Sequence, residues 1–361
     1  MKVPARIVEK DILTSSERMK ALVSKKELDR VPVNPMASVY TALRAGISVR
    51  EFYLEPEKAL RAQELSIEIH KYDGTPSYSI PDWSGWDFGG EFAFHSSPLH
   101  ALPFLAKRAA QSADDVKRLK LPDPKIAPGA GRMLVFARLA RARGYTVSIY
   151  GGSPMGIAGS IVGPEVLLRW FYKEPEMIHK LLRLSTDYLL LVADLFIDEF
   201  GAENCSAFCT YPLEGHAVVS PKIFENFSLP YVIEMHEQLI GKGVKKWLIH
   251  LCGEHFHNLM HWKKIPLVSR SVFTIGHEMD IEKTAEFFGE DYIIGGNVST
   301  TLLQLGSADE VFEECGQIID KMKYHSGGFI LTPACALPPK TPPENVQAMV
   351  DAARMFGRYD Y

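Results

Sequence analysis

The sequence predicts an α/β fold, a (β/α)8 TIM-type barrel with an N-terminal helical extension. Three observations carry that expectation. From Tyr145 onward, short apolar β-favouring runs alternate with stretches of helical period, and no hairpin joins one strand to the next. Two earlier extended segments, near Val31 and in the Ile69 to Ser79 region, bring the strand count toward eight. The 361 residues, 46% hydrophobic and 23% charged, are enough for one large α/β domain with a sizeable core. We therefore expect a single domain over 1–361, with the helical extension over about 1–65 and the barrel over about 66–361.

The elements follow in order. Thr14 is an N-cap for a helix running to about Ser24. Arg30 to Val33 is extended. Val49, Phe52, Tyr53, Ala59, Leu60, Leu65, Ile67 and Ile69 recur at helical spacing between Ile47 and Tyr72, with Pro56 as a break. Asp73 to Pro98 reads as a loop rich in Gly, Ser, Pro and aromatics, among them Tyr78, Trp83, Trp86, Phe88, Phe92 and Phe94. A loop so long and so aromatic is expected to wall or cover a cleft. Ser112 opens a short capped helix, Arg132 to Arg143 is helical, and Tyr145 to Tyr150 is a strand. Gly151 to Gly156 turns into helix without the Gly-Lys-Ser/Thr of a nucleotide-binding P-loop. Phe171 to Phe200 is one long amphipathic helix or two.

Ser206 to Thr210 is a strand, and Ser220-Pro221 supplies the N-cap and first position of a helix that continues as Glu225 to Leu239. Strands at Trp247 to Leu251, Val272 to Ile275, Tyr292 to Asn297 and Phe329 to Leu331 then alternate with helices at Ile281 to Phe288 and Asp309 to Lys323. Thr341-Pro342-Pro343-Glu344 opens the last helix, to Arg354, with capping-box spacing and a proline at its first position.

The side chains suited to chemistry sit at strand ends, where such barrels place their active sites. Residues two apart in a strand point the same way, so His250 and Cys252 offer an imidazole nitrogen and a thiolate to a common point. Cys335, just past the Phe329 to Leu331 run, is the third ligand for a borderline cation such as zinc. Glu214 and His216 follow the Ser206 to Thr210 strand and are candidates for acid/base or metal-adjacent roles. His255, His257 and His261 crowd the same region. Asn297, Trp83 and Trp86 are candidates for substrate contact, and Glu278 and Asp280 for partners of a ligating histidine. Cys205, Cys209 and Cys315 read as core residues.

Composition narrows the classes. Five cysteines, odd in number and sparse, argue against a disulfide framework and for a reducing compartment. The net charge of −4, without a basic block, makes nucleic acid an unexpected partner. Met1 to Arg6 has no apolar core of a signal peptide, and the apolar run Tyr188 to Ile197 is interrupted by Asp194 and too short for a bilayer. A cytoplasmic location without membrane contact is expected.

The residues resemble the uroporphyrinogen decarboxylase superfamily, over most of the chain and least from Asp73 to Leu105. The landmarks are Glu17-Arg18 with Asp29-Arg30-Val31-Pro32; Ser220-Pro221 with Phe224, Phe227, Pro230 and Tyr231; Gly296-Asn297-Val298; and Thr341 to Val346. Within it the chain is similar to the cobalamin-linked methyltransferase branch, whose zinc pattern of His-x-Cys and a late Cys matches His250, Cys252 and Cys335. The decarboxylases carry Gly-His-Gly where this chain has Ala334-Cys335-Ala336, and an Arg-rich stretch where it has Asn34 to Tyr40 without arginine. A substrate with many carboxylates needs several fixed cations. The resemblance thus implies a zinc-dependent methyltransferase moving a methyl group between a small substrate (a thiol acceptor, or a methyl-ether or methylamine donor) and a corrinoid carried by a partner protein. The aromatic loop from Tyr78 to Phe94 is a candidate rim for that partner. The alternatives are a metal-free decarboxylase or lyase on the same fold, and a non-catalytic barrel that only binds a corrinoid protein.

Overall fold

The computed structural model describes residues 10–96, 102–150 and 152–359. An antiparallel pair, β1 (Glu91–Ala93) and β2 (Phe104–Lys107), precedes six parallel strands that follow one another in sheet order. These are β3 (Val147–Tyr150), β4 (Cys205–Thr210), β5 (Trp247–Leu251), β6 (Val272–Ile275), β7 (Ile293–Val298) and β8 (Phe329–Pro333). Helices connect them, as parallel order requires.

By internal contacts the chain forms two compact units. One comprises the chain up to Ser48, Lys58–Ser77 and everything from Ser269; it holds β6 to β8. The other comprises Val49–Glu57 and Tyr78–Val268 and holds β1 to β5.

In the first unit, Thr14 caps helix Ser15–Val23 in a capping box with Glu17, as the sequence predicts. Val33 bridges Leu331 of β8 in parallel, and the Asp73 N–H donates to the Val33 carbonyl at 2.7 Å. The early extended segments therefore exist, but as single bridges and bonds rather than a full ladder. Ile69 belongs to the helix Pro56–His70, as its helical spacing predicts, so within the Ile69 to Ser79 region the extended chain begins only after that helix. Pro56 separates this helix from Val49–Leu54, as expected. At the last helix, Pro343–Met355, the cap position is Pro342, without a side-chain bond, so the capping box expected from Thr341 does not form. Thr341 lies one residue too early; its N–H donates to the Pro338 carbonyl instead.

In the second unit, the Phe171 to Phe200 region is two helices, Pro164–Lys173 and Pro175–Phe200. Pro175 has no N–H to continue the first and a φ suited to start the second. The Ser220 helix begins Pro221–Ile223 and widens over Phe224–Ser228, where the Leu229 N–H reaches back to Phe224. Pro230 lacks the N–H that would bond Asn226 in a regular turn, and the backbone takes the wider one. The segment expected as a loop from Asp73 is folded: it contains helix Trp83–Asp87 and β1, and its residues 97 and 98 lie outside the described part. No helix among the described residues is long and apolar enough to cross a membrane.

Candidate metal centre and its surroundings

β5 is buried along its length because Trp247, Ile249 and Leu251 fill the core while Trp247 Nε1 donates to the Val244 carbonyl at 2.9 Å. His250 stands opposite Thr210 of β4 in the parallel register and is 3% exposed. Cys252 follows two residues on, and Gly253 then turns the chain at a φ of +82°, a conformation that suits glycine. Cys335 follows the end of β8 by two residues, and both thiols are half-buried. One ligand atom from each of His250, Cys252 and Cys335 lies within 4.8 Å of the other two. The remaining thiols are of another kind: burial pushes Cys205 up to about 11 and Cys209 up to about 12. Cys315 is likewise buried and raised. Those three are core residues, as expected.

The loop leaving β5 is fastened to the loop leaving β4 by His255. Its Nε2 lies 3.0 Å from the Tyr211 carbonyl and 3.2 Å from the Cys252 carbonyl. Carbonyls only accept, so Nε2 carries the proton and is shared between them. Burial pushes this imidazole down to about 4, so it stays neutral. Gly215 makes the approach possible, since a Cβ there would sit 3.1 Å from the Glu254 carbonyl and 3.5 Å from His255 Nε2.

Glu214 is fully buried. Ser228 donates to its Oε1 at 3.2 Å, Ser153 also bonds it, and Asn258 donates to its backbone carbonyl at 2.7 Å. Among the described residues no lysine or arginine pairs with it, and burial pushes the carboxyl up to about 7. His216 is more open, with its ring 4.3 Å from that of His257 and Nδ1 3.8 Å from the Glu254 carboxylate.

Trp83 is 5% exposed and packs against Tyr188. With Tyr150, Ser153, Ile157 and Thr210 it lines a cavity of about 250 Å³ at the C-terminal ends of β3 and β4. Thr210 places that cavity one strand over from His250. Trp86 stacks on Phe92 at 4.3 Å, with the Arg132 guanidinium 4.9 Å from its ring centroid. Asn297 donates both amide hydrogens to carbonyls of its own unit, Gly276 at 3.1 Å and Met279 at 2.9 Å, and so holds the loop after β6. Asp280 caps helix Ile281–Phe288, and Glu278 lies 3.5 Å from His277.

Sequence reasoning missed Ser153 and Ser228 as partners of Glu214 and Tyr150 as a cavity wall. Ser153 carries a readable signal, because Ser-Pro marks a helix cap, and the same hydroxyl accepts from the Gly156 N–H. The others depend on contacts between distant segments.

Residues 14–356 match the family model described as uroporphyrinogen decarboxylase (URO-D). The chain belongs to the uroporphyrinogen decarboxylase family. The chain is similar to the methylcobamide:CoM methyltransferase MtbA of Methanosarcina acetivorans, 24% identical over 95% of this chain and 98% of that protein. The methylcobamide:CoM methyltransferase MtaA of Methanosarcina barkeri is 23% identical over 94% and 97%. The uroporphyrinogen decarboxylase of Homo sapiens is 27% identical, but over 53% of this chain and 50% of its own. A solved methyltransferase from Methanosarcina mazei superposes with a TM-score of 0.78 at 20% identity, covering 94% of this chain and 98% of that one. The URO-D fold class, α/β of the (β/α)8 type, is thus the one the alternating elements predict.

Proposed function

We propose that this URO-D family member is a zinc-dependent methyltransferase that moves a methyl group between a small substrate and a corrinoid held by a partner protein, with His250, Cys252 and Cys335 as the zinc ligands. The observation that carries the reading is the convergence of one nitrogen and two sulfurs to within 4.8 Å. Donors around a shared tetrahedral ion at bonds of about 2.0–2.3 Å stand roughly 3.5 Å apart, a closure that side-chain rotation of half-buried cysteines can supply. The donor set suits zinc, and three protein ligands leave a fourth position open. Relatives matching nearly end to end are named methylcobamide:CoM methyltransferases, and the decarboxylase match covers half the chain.

Bound zinc supplies Lewis acidity, which holds a substrate thiol as thiolate at neutral pH or polarises an ether oxygen. The chain's own residues do the rest. His255 fixes the carbonyl of Cys252 and with it the direction of that thiol. Trp83, Tyr150 and Thr210 wall the cavity beside His250, where a small methyl donor or acceptor would sit. Glu214, poised near neutrality, is the group suited to take or give a proton, with the more open His216 second. The aromatic ladder of Trp86 and Phe92 is a candidate rim for the corrinoid protein, and the cytoplasm is the compartment that suits the cysteines.

Metal analysis should find about one zinc per chain. Cys252→Ala and Cys335→Ala should each lose the zinc and the methyl transfer to or from a free corrinoid, read by its visible spectrum. Unchanged metal content in either variant removes that residue from the ligand set. Activity that survives complete chelation would favour the metal-free decarboxylase, which needs no ion.

A further inference from the structure

A second cavity, of about 310 Å³, lies in the first unit at the N-terminal ends of β6 to β8, the ends away from Cys335. Lys25, Lys26, Arg270, Lys323 and His325 line it, and among the described residues no aspartate or glutamate does. In a chain of net charge −4 this is a local reversal of sign.

Among the described residues these cations form no ion pair with one another or with a carboxylate. Arg270 is locked by backbone: its guanidinium donates to the carbonyls of Leu22 at 2.8 Å, Gly327 at 2.7 Å and Val23 at 3.1 Å. Carbonyls fix the group without cancelling its charge, and Asp291 is the carboxylate that bears on it. The Lys323 ammonium sits 5.2 Å from the Tyr324 ring and 5.6 Å from the Tyr359 ring. Among the described residues neither Lys25, Lys26 nor Lys323 is in an ion pair. His325 Nε2 is buried and, among the described residues, without a hydrogen-bond partner. At Gly328 a Cβ would lie 2.8 Å from Leu22 and 3.4 Å from the Arg270 guanidinium, so glycine lets the backbone close against the arginine.

The floor is of opposite character. Leu22 and Leu28 are buried there and pack with Ile293 and Ile330. A cavity with a guanidinium held by backbone, three ammonium groups, an apolar floor and a tyrosine edge matches a small amphipathic anion. Its size is at the lower bound of small-ligand sites.

We propose that this cavity binds a phosphate-bearing small molecule, with the phosphoryl oxygens among Lys25, Lys26, Arg270 and Lys323 and the organic part against Leu28 and Tyr359. Arginine and lysine together give the directed and the point-charge halves of phosphate recognition. The site is separate from the methyl-transfer residues, and its binding is independent of zinc.

Calorimetric titration of the full chain tests it, with adenosine monophosphate and with inorganic phosphate as probes at low salt. The expectation is saturable binding of both, tighter for the nucleotide because the floor and the tyrosines add to the charge. Lys323→Met keeps the aliphatic stem and should weaken both about tenfold, and Lys25→Glu with Lys323→Glu should abolish binding. Lys173→Glu, an exposed charge elsewhere, should change nothing. No saturable heat with either probe overturns the proposal. So does equal weakening by Lys173→Glu, which means diffuse charge, or tighter binding of a glutamate-rich peptide than of either phosphate. Zinc content and methyl transfer unchanged in Lys323→Met would keep this outcome distinct from that of the proposed function.

Discussion

Two buried polar regions of this molecule solve the same problem in opposite ways. In the first unit Arg18 and Arg30, 1% and 0% exposed, stay charged because each guanidinium nitrogen has an acceptor. Arg18 grips both oxygens of Asp29 at 2.7 Å and reaches Asp73 at 2.6 Å; Arg30 reaches the other oxygen of Asp73 at 2.7 Å and both oxygens of Asp11. In the second unit Glu214 and His236 are buried and, among the described residues, in no ion pair, and burial pushes the carboxyl up to about 7. Tyr211 and His236 share a 2.7 Å hydrogen bond, the Pro266 carbonyl accepts from the other ring nitrogen at 2.9 Å, and burial pushes that imidazole down to about 4. Matched charges make a rigid clasp. The carboxyl of Glu214, raised to about 7, stays able to exchange a proton near neutral pH, which is a property for chemistry rather than for stability.

The contrast can be broken most forcefully at Asp73. It accepts from Arg18, Arg30 and the Val33 N–H at 2.9 Å, and so ties the chain after helix Pro56–His70 to the strand that bridges β8. Asp73→Ala leaves two buried guanidinium groups short of a partner, and breaking such a pair costs about 3–5 kcal/mol. Urea unfolding should show that loss, whereas a change below about 1 kcal/mol would mean water already reaches the cluster.

This clasp also explains what was legible in the sequence. Glu17-Arg18 and Asp29-Arg30-Val31-Pro32 stand out as family landmarks, and the structure shows why those types are needed together, although nothing in a linear reading announces Asp73 as the residue that joins the two arginines. The β5 and β6 strands and the helix Ile281–Phe288 were readable to the residue, because local period and β-branched or aromatic content decide them. The pairing of His250 with Cys252 was readable for the same local reason. Thr341 misled because a capping box needs its hydroxyl three residues before the acid in space as well as in sequence, and Pro342 takes the cap position. The folded segment around Trp83 was hidden because Gly85 and Gly90 look like loop residues; at Gly85 a Cβ would lie 2.5 Å from Ser160, so there the glycine serves a close helix contact. The hydroxyl partners of Glu214 come from residues far away in the chain.

A smaller effect sharpens the other half of the comparison. A buried carboxyl raised to about 7 from 4.5 binds a proton more tightly folded than unfolded. Its contribution to stability is therefore fully present below about pH 4.5 and is lost as the pH rises through 7. His236 runs the other way, stabilising above its unfolded value and losing that contribution as the pH falls toward 4, so the two oppose each other in the parent protein. The clean measurement is a difference: Glu214→Gln relative to the parent should be near neutral at pH 5 and more stable by up to about 3 kcal/mol above pH 8. A difference that stays flat with pH would mean the carboxylate finds a cation, and the contrast between the two regions would collapse.

The least costly change separates a brace from a bystander. His255→Ala strips the shared proton from two buried carbonyls, those of Tyr211 and Cys252, at a cost of about 1–3 kcal/mol for groups left unsatisfied. A purely structural loss would stop there. If the imidazole also aims Cys252, zinc affinity measured against a competing chelator should fall about 10–100-fold, the range typical of partners one bond removed from a metal ligand. His255→Gln, whose amide can still donate to one carbonyl, should recover part of that affinity. Equal chelator competition in the parent and both variants would leave His255 as packing, with the direction of the Cys252 thiol set by Gly253 and the strand alone.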